Sequence, residues 1–310
     1  MKPLKWNEIV GNWATLLLTT DKKGTIDLSR WRDEIDVLIS SRPNGIYSNG
    51  TAGEFYTLNE DEFDVLHQIL AEKCTAAQIP FQVGVSHPCP QTSLHRLQRS
   101  VQWVPSAIQV ILPDWFPVTN SEAVKFLEVM AETAEGIGLI LYNPPHAKRR
   151  LQPEDWTEIK GKVPQLIGLK VFDDNGAEEW YQSMRGHSEH LSVFIPGHRM
   201  ASGIQRGAHG AYSNIACLNP FAAQEWYRLI ETRQEAALDW EARINRFMAR
   251  FIAPLIVEEH FPNHACDRFM ALLGGWADVG ECLRWPYRSV PAERAEAIRP
   301  QAKEIIPEFF

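Results

Sequence analysis

Short apolar runs recur along this chain, and each is followed by a longer segment in which apolar residues return every three or four positions. The first pattern predicts a strand buried on both faces, the second a helix with one buried stripe. Strands are expected at Ala14–Thr19, Gly45–Ser48, Phe81–Val85, Ala107–Leu112, Gly138–Tyr142, Leu166–Val171, Leu191–Ile195 and Gly210–Ser213. Helices are expected at Leu28–Ser40, Glu60–Ala77, Thr92–Val101, Ser121–Glu135, Pro153–Lys160, Ala177–Met184 and Pro220–Thr232, with a short helical segment around Arg199–Gln205. Asn59 and Ser121 read as N-caps with acidic residues in the turn that follows, and Pro153 and Pro220 fall where a first turn tolerates proline.

Eight strand–helix units predict a parallel sheet closed into a (β/α)8 TIM barrel, with a doubly wound open sheet as the structural alternative. From Leu238 the pattern turns wholly helical. Residues 1–237 are therefore read as the barrel and 238–310 as a C-terminal helical extension packed on it, one structural unit.

Composition narrows the partners. The 310 residues carry a formal net charge of −8, and the only dense basic stretch is Lys148-Arg149-Arg150. That balance argues against a nucleic-acid or anionic-membrane surface. No run of about 18 apolar residues appears, so no membrane span is expected. The N-terminus lacks the apolar stretch of a signal peptide, and the five cysteines form no Cys-x-x-Cys pair. Both point to a cytoplasmic protein with reduced, buried thiols.

A barrel concentrates its chemistry where its strands end. The sixth strand runs through Leu166-Ile167-Gly168-Leu169 into Lys170, with Val171 and Phe172 following. Burial disfavours the ammonium form, leaving neutral amine able to attack a carbonyl. A lysine snorkelling to solvent is the bland reading of the same position. The fifth strand delivers Tyr142 beside it, a phenol that can move protons or simply a core tyrosine with a backbone partner. After the second strand comes Asn49-Gly50-Thr51-Ala52-Gly53-Glu54, a turn whose N–H groups and Thr51 hydroxyl can hold a carboxylate. It lacks the spacing of a phosphate-binding loop. His260 and His264 are separated by Pro262, and His187 and His190 lie in a polar stretch, so no metal site is expected.

Together these segments resemble the dihydrodipicolinate synthase/N-acetylneuraminate lyase family of class I aldolases. GTAGE at Gly50–Glu54, LYNPP at Leu141–Pro145, IGLK at Ile167–Lys170, Pro196-Gly197 with RGAHGAYSN at Arg206–Asn214, and LRWP at Leu283–Pro286 follow the family's motifs in order. The resemblance implies a homo-oligomer, tetramer or dimer, in which Lys170 forms an imine with pyruvate or another 2-keto (sugar) acid. It also implies no separate cofactor, Tyr142 as proton shuttle, and Thr51 assisting it and holding the keto-acid carboxylate. Gly197 and the backbone at Tyr212 would line the site, while Trp115 shapes its mouth.

Three departures bear on the substrate. Ala52 stands where the family loop has a second hydroxyl. Pro113-Asp114-Trp115-Phe116 replaces the tyrosine pair of dihydrodipicolinate synthases. Ala147 takes the place of their carboxylate-binding arginine, leaving Arg149 or a neighbour to substitute. The leading expectation is thus a Schiff-base aldolase or dehydratase for a sugar acid or other 2-keto acid. A dihydrodipicolinate synthase with an altered second-substrate site and a non-catalytic small-molecule-binding barrel are the alternatives.

Overall fold

In the computed structural model, which describes residues 1–310, the apolar runs pair side by side in chain order. The strands are β1 (Gly11–Thr15), β2 (Gly45–Ser48), β3 (Phe81–Gly84), β4 (Ala107–Ile111), β5 (Leu139–Asn143), β6 (Leu166–Val171), β7 (Ser192–Pro196) and β8 (Gly210–Ser213). All neighbouring pairs are parallel, and β8 pairs with β1. The sheet is therefore a closed barrel, and the open-sheet alternative falls away.

The connecting helices are α1 (Leu28–Ser40), α2 (Glu60–Ala77), α3 (Pro90–Ser100), α4 (Asn120–Thr133), α5 (Pro153–Lys162), α6 (Glu178–Ser188) and the short α7 (Met200–Gln205). After β8 come α8 (Asn214–Leu218), α9 (Pro220–Thr232), α10 (Gln234–Phe247), α11 (Ala253–Val257), α12 (Asn263–Gly274) and α13 (Glu293–Ile305). Asn59 caps α2 reciprocally with Glu62. At α4 the cap is Thr119 rather than Ser121, because Glu122 lies three residues on and returns a bond to the Thr119 N–H.

The first strand differs most from its expected position. Its apolar run continues through Leu16-Leu17-Leu18, yet the ladder stops at Thr15. The Leu17 N–H is taken at 2.9 Å by the carboxylate of Glu34 on α1, so this backbone turns from the sheet toward a helix side chain. The thiols of Cys74, Cys217 and Cys266 are buried, whereas Cys89 is exposed at the start of α3 and Cys282 is half-buried. No helix is long and apolar enough to cross a membrane.

Glu34 is fully buried, and its second oxygen has no partner. Burial raises its carboxyl to about 8, against the Leu17 N–H and the Arg268 charge, which both lower it. A proton is thus held more tightly in the folded chain than in the unfolded one. Stability from this group is complete below the unfolded value of 4.5 and declines as pH rises toward 8. Glu34→Gln keeps an acceptor for Leu17 and has no proton to lose. It should match wild type near pH 4 and be more stable by a few kcal/mol above pH 8, a ceiling of about 5 set by the shift. Urea unfolding at both pH values decides it, and parallel pH profiles for the two proteins would rule out the buried proton.

The larger core lies between sheet and helices, and a smaller one fills the barrel with Trp13, Tyr47, Ile140, Phe194 and Tyr212. The C-terminal helices return to the barrel rim, where α12 packs against α8. Arg268 of α12 donates to the Leu18, Val279 and Gly280 carbonyls and, at 2.8 Å, to the carboxylate of Glu54 after β2. The rim around the strand ends is therefore built from both ends of the chain.

Candidate active site

Strand register brings the first pair together. Tyr142 of β5 stands directly opposite Lys170 of β6, and the Lys170 ammonium nitrogen lies 4.1 Å from the Tyr142 ring centre. The lysine also reaches across the barrel. Strands β2 and β6 are diametrically placed in the eight-strand ring, yet Lys170 Nζ donates to Tyr47 Oη at 3.0 Å. Such a bond requires both side chains to project toward the axis. Gly50 makes room for it, because a Cβ there would sit 1.2 Å from the Tyr47 hydroxyl oxygen.

Tyr212 of β8 completes the surround, with its ring centre 5.5 Å from Nζ and its hydroxyl donated to Gln82 at 2.6 Å. Three tyrosine faces thus attend one amine, an arrangement that favours its charged form. Burial works the other way and prevails, holding the Lys170 amine below its ordinary value despite Tyr142 and Asp267, which raise it. Tyr47 is pushed well above the usual phenol range by burial, so it remains a neutral hydroxyl.

Asp267 enters from outside the barrel. It lies on α12 three residues after His264, whose Nε2 bonds the Tyr56 hydroxyl at 2.9 Å, and next to Arg268. That face of α12 lies near the ends of the first strands. Burial raises the Asp267 carboxyl to about 7, opposed by the charge of Lys170.

Above Tyr142 the mouth opens into a cavity of about 280 Å³, with Thr51, Tyr142, Trp115 and Arg149 on its walls. Thr51 and Tyr142 therefore share one space, which meets Lys170 through the Tyr142 ring rather than being lined by the lysine. Ala52 turns the other way and is buried in the main core. Arg149 lines the cavity, but one guanidinium nitrogen is held by Asn120 and Asp155, and its buried Nε–H has no acceptor. The loop carrying it is tied down by Asn143, which donates to the Leu151 carbonyl at 2.9 Å and accepts from the Leu151 N–H at 3.1 Å.

Gly197, at the end of β7, approaches β8 so closely that a Cβ would lie 2.8 Å from Asn214 Oδ1 and 2.9 Å from Ser213. Tyr212 contributes a side chain at the floor, beyond the backbone contact expected of it. An open depression of about 530 Å³ near Ser41 and Arg228 contains no residue that ends a barrel strand.

Sequence reasoning missed Tyr47, Asp267 and Asp173. Asp173, three residues after Lys170, is buried, accepts from Tyr181 at 2.9 Å, and pairs with Arg199 after β7. It fixes the ends of β6 and β7 relative to each other. Tyr47 had one available signal, its place one residue before the end of an apolar strand. No group of three or more His, Cys, Asp or Glu side chains converges as metal ligands would.

Comparison with known proteins gives a consistent result. The profile described as the Dihydrodipicolinate synthetase family matches residues 9–305. A trans-O-hydroxybenzylidenepyruvate hydratase-aldolase of Sphingobium xenophagum is 23% identical over 96% of this chain and 93% of its own length. A Ruminococcus gnavus sialic acid aldolase, solved as a catalytic lysine mutant, superposes with a TM-score of 0.83 at 17% identity, covering 100% of this chain and 98% of that one. A prophage protein of the dihydrodipicolinic acid synthase family from E. coli K12, solved in complex with pyruvate, gives 0.82 at 17% identity over 96% and 98%.

Proposed function

On the premise that this chain belongs to the dihydrodipicolinate synthetase family, we propose that it is a lyase that forms an imine between Lys170 and a 2-keto acid. The observation that carries this reading is the Lys170 amine, lowered by burial, 3.0 Å from a neutral tyrosine hydroxyl and against the Tyr142 ring. Neutral amine attacks the keto carbon, and Tyr142 gives its proton to the departing hydroxyl, so the carbinolamine loses water. The resulting iminium carbon takes the electron pair of the neighbouring C–C bond as it breaks, or acidifies the adjacent C–H. Thr51, on the same cavity wall as Tyr142, relays the proton and holds the substrate carboxylate. The lysine itself supplies the electron sink, and no further cofactor enters the scheme. Family membership supports this reading, as do the pyruvate complex and the lysine variant among the similar structures.

Incubation with pyruvate and borohydride, followed by peptide mass spectrometry, tests it directly. A reduced adduct confined to the peptide containing Lys170 is expected. Absence of an adduct with pyruvate and with a panel of larger 2-keto acids would overturn the imine and leave a non-catalytic barrel.

A further inference from the structure

The walls of the cavity beside Tyr142 are chemically lopsided. Phe55, Tyr56, Trp115, Pro144 and Tyr287 stand among the residues that line it. Tyr56 has its hydroxyl turned away to His264, presenting ring rather than oxygen, and Tyr287 packs edge-on to it at 5.2 Å between centroids. Trp115 stands 85% exposed at the rim, with nothing laid over its indole except Lys148 Nζ, 5.0 Å from the ring centre.

Several polar groups on the same walls are spent on one another, with the Arg149 Nε–H and His146 standing outside that set. Asp114 accepts from the Lys148 N–H at 2.7 Å, Lys148 Nζ donates to the Trp115 carbonyl at 2.8 Å, and Asn143 closes its own loop. A polyhydroxylated arm would bring several hydroxyls to a surface with few free partners, and each unmatched one is penalised. A flat aromatic arm asks for the opposite, ring faces and edges with little hydrogen bonding. The cavity's volume of about 280 Å³ is near the small end for ligand sites and suits one ring.

We propose that the arm of the keto acid beyond C3 is aromatic, so that the enzyme joins or separates pyruvate and an aryl aldehyde. The inference rests on the imine reading and names the substrate class of that same site. In the cleavage direction Lys170 holds C2 of a 4-aryl-4-hydroxy-2-keto acid as the iminium. The Tyr142 phenolate, left by carbinolamine dehydration, accepts the C4 hydroxyl proton. The C3–C4 electron pair moves into the iminium, the aryl aldehyde departs, and the enamine takes the proton back at C3. Water then hydrolyses the imine to release pyruvate and free Lys170. No oxidant or reductant is needed.

The test supplies pyruvate with benzaldehyde, 2-hydroxybenzaldehyde, D-glyceraldehyde or succinic semialdehyde, and follows aldol product by chromatography. The aromatic aldehydes should exceed both others in kcat/KM by at least about tenfold, the scale of discrimination by an apolar pocket. Preference for glyceraldehyde would overturn the aryl assignment in favour of a sugar-acid arm. Preference for succinic semialdehyde would overturn it in favour of carboxylate recognition at Arg149. Borohydride trapping with pyruvate alone, run alongside, separates the two levels. An adduct without aromatic preference sinks only the aryl assignment, whereas no adduct sinks the imine as well. Tyr287→Ser should raise KM for benzaldehyde about tenfold more than KM for glyceraldehyde, and equal changes for both would count against the aromatic wall.

Discussion

Lys170→Ala should retain the barrel and lose the reaction. The side chain ends a strand whose position is set by its ladder to β5 and β7 and by the buried Asp173–Arg199 pair beyond it, none of which needs the amine. Removal also relieves the structure of a partly desolvated amine, so thermal stability should change little or rise. Catalysis has no such substitute. On the proposed imine mechanism the variant forms no iminium, and kcat/KM for 2-keto acid cleavage should fall by about 10⁴-fold or more, the scale seen when a covalent nucleophile is deleted. Tyr142→Phe keeps the ring against Lys170 and removes the hydroxyl we propose as proton carrier, so it should lose about 10²–10⁴-fold while still trapping some pyruvate. The two variants together separate bond formation from proton movement. Turnover within tenfold of wild type for Lys170→Ala would end the imine mechanism.

The adjacency of Tyr142 and Lys170 was legible in the sequence for a physical reason. A doubly buried strand shows as a continuous apolar run, and the residue that breaks the run marks the strand's functional end. Lys170 and Tyr142 both do so, and adjacency of β5 and β6 follows from chain order. Tyr47 is different. A tyrosine inside an apolar strand looks like core, and it meets Lys170 only because the barrel closes, bringing together residues 123 apart. Asp267 reads as an ordinary polar position on an amphipathic helix until α12 is seen to lie across the rim. The first strand, displaced toward Gly11 and ending at Thr15, is a case of local pattern overruled by a distant partner, since nothing in Leu16-Leu17-Leu18 reveals that Glu34 will take the Leu17 N–H. Arg149 lies two residues past the position where the resemblance needs a cation, and its guanidinium is drawn to Asp155 by a contact the register does not encode.

The GTAGE motif illustrates how site and scaffold share residues. Thr51 lines the cavity, yet Glu54, at the motif's end, is wholly buried and faces away from the reaction. Its Oε1 accepts from Arg268 at 2.8 Å and its Oε2 from the Arg284 N–H at 2.9 Å. Arg284, within the LRWP motif, also reaches Glu62 of α2 at 2.7 Å. Two motifs far apart in the chain are therefore halves of one clamp that fixes the loop after β2. Burial raises the Glu54 carboxyl while the Arg268 charge lowers it, the balance expected of an ion pair that must compensate its own desolvation.

Arg268→Ala leaves that carboxylate buried without its charge partner and also orphans the Leu18, Val279 and Gly280 carbonyls. The expected loss is about 3–5 kcal/mol in urea unfolding, among the largest for any single substitution here. Glu54→Gln with Arg268→Met, which removes both charges at similar volume, should recover a large part of it, because the dominant cost is the uncompensated charge rather than the lost contact. Where Arg268→Ala still folds, KM for the keto acid should rise, since Thr51 then rides on a loop no longer anchored at Glu54. A single-variant loss below about 1 kcal/mol would mean that the pair is solvated in solution and that the loop after β2 is held by other means.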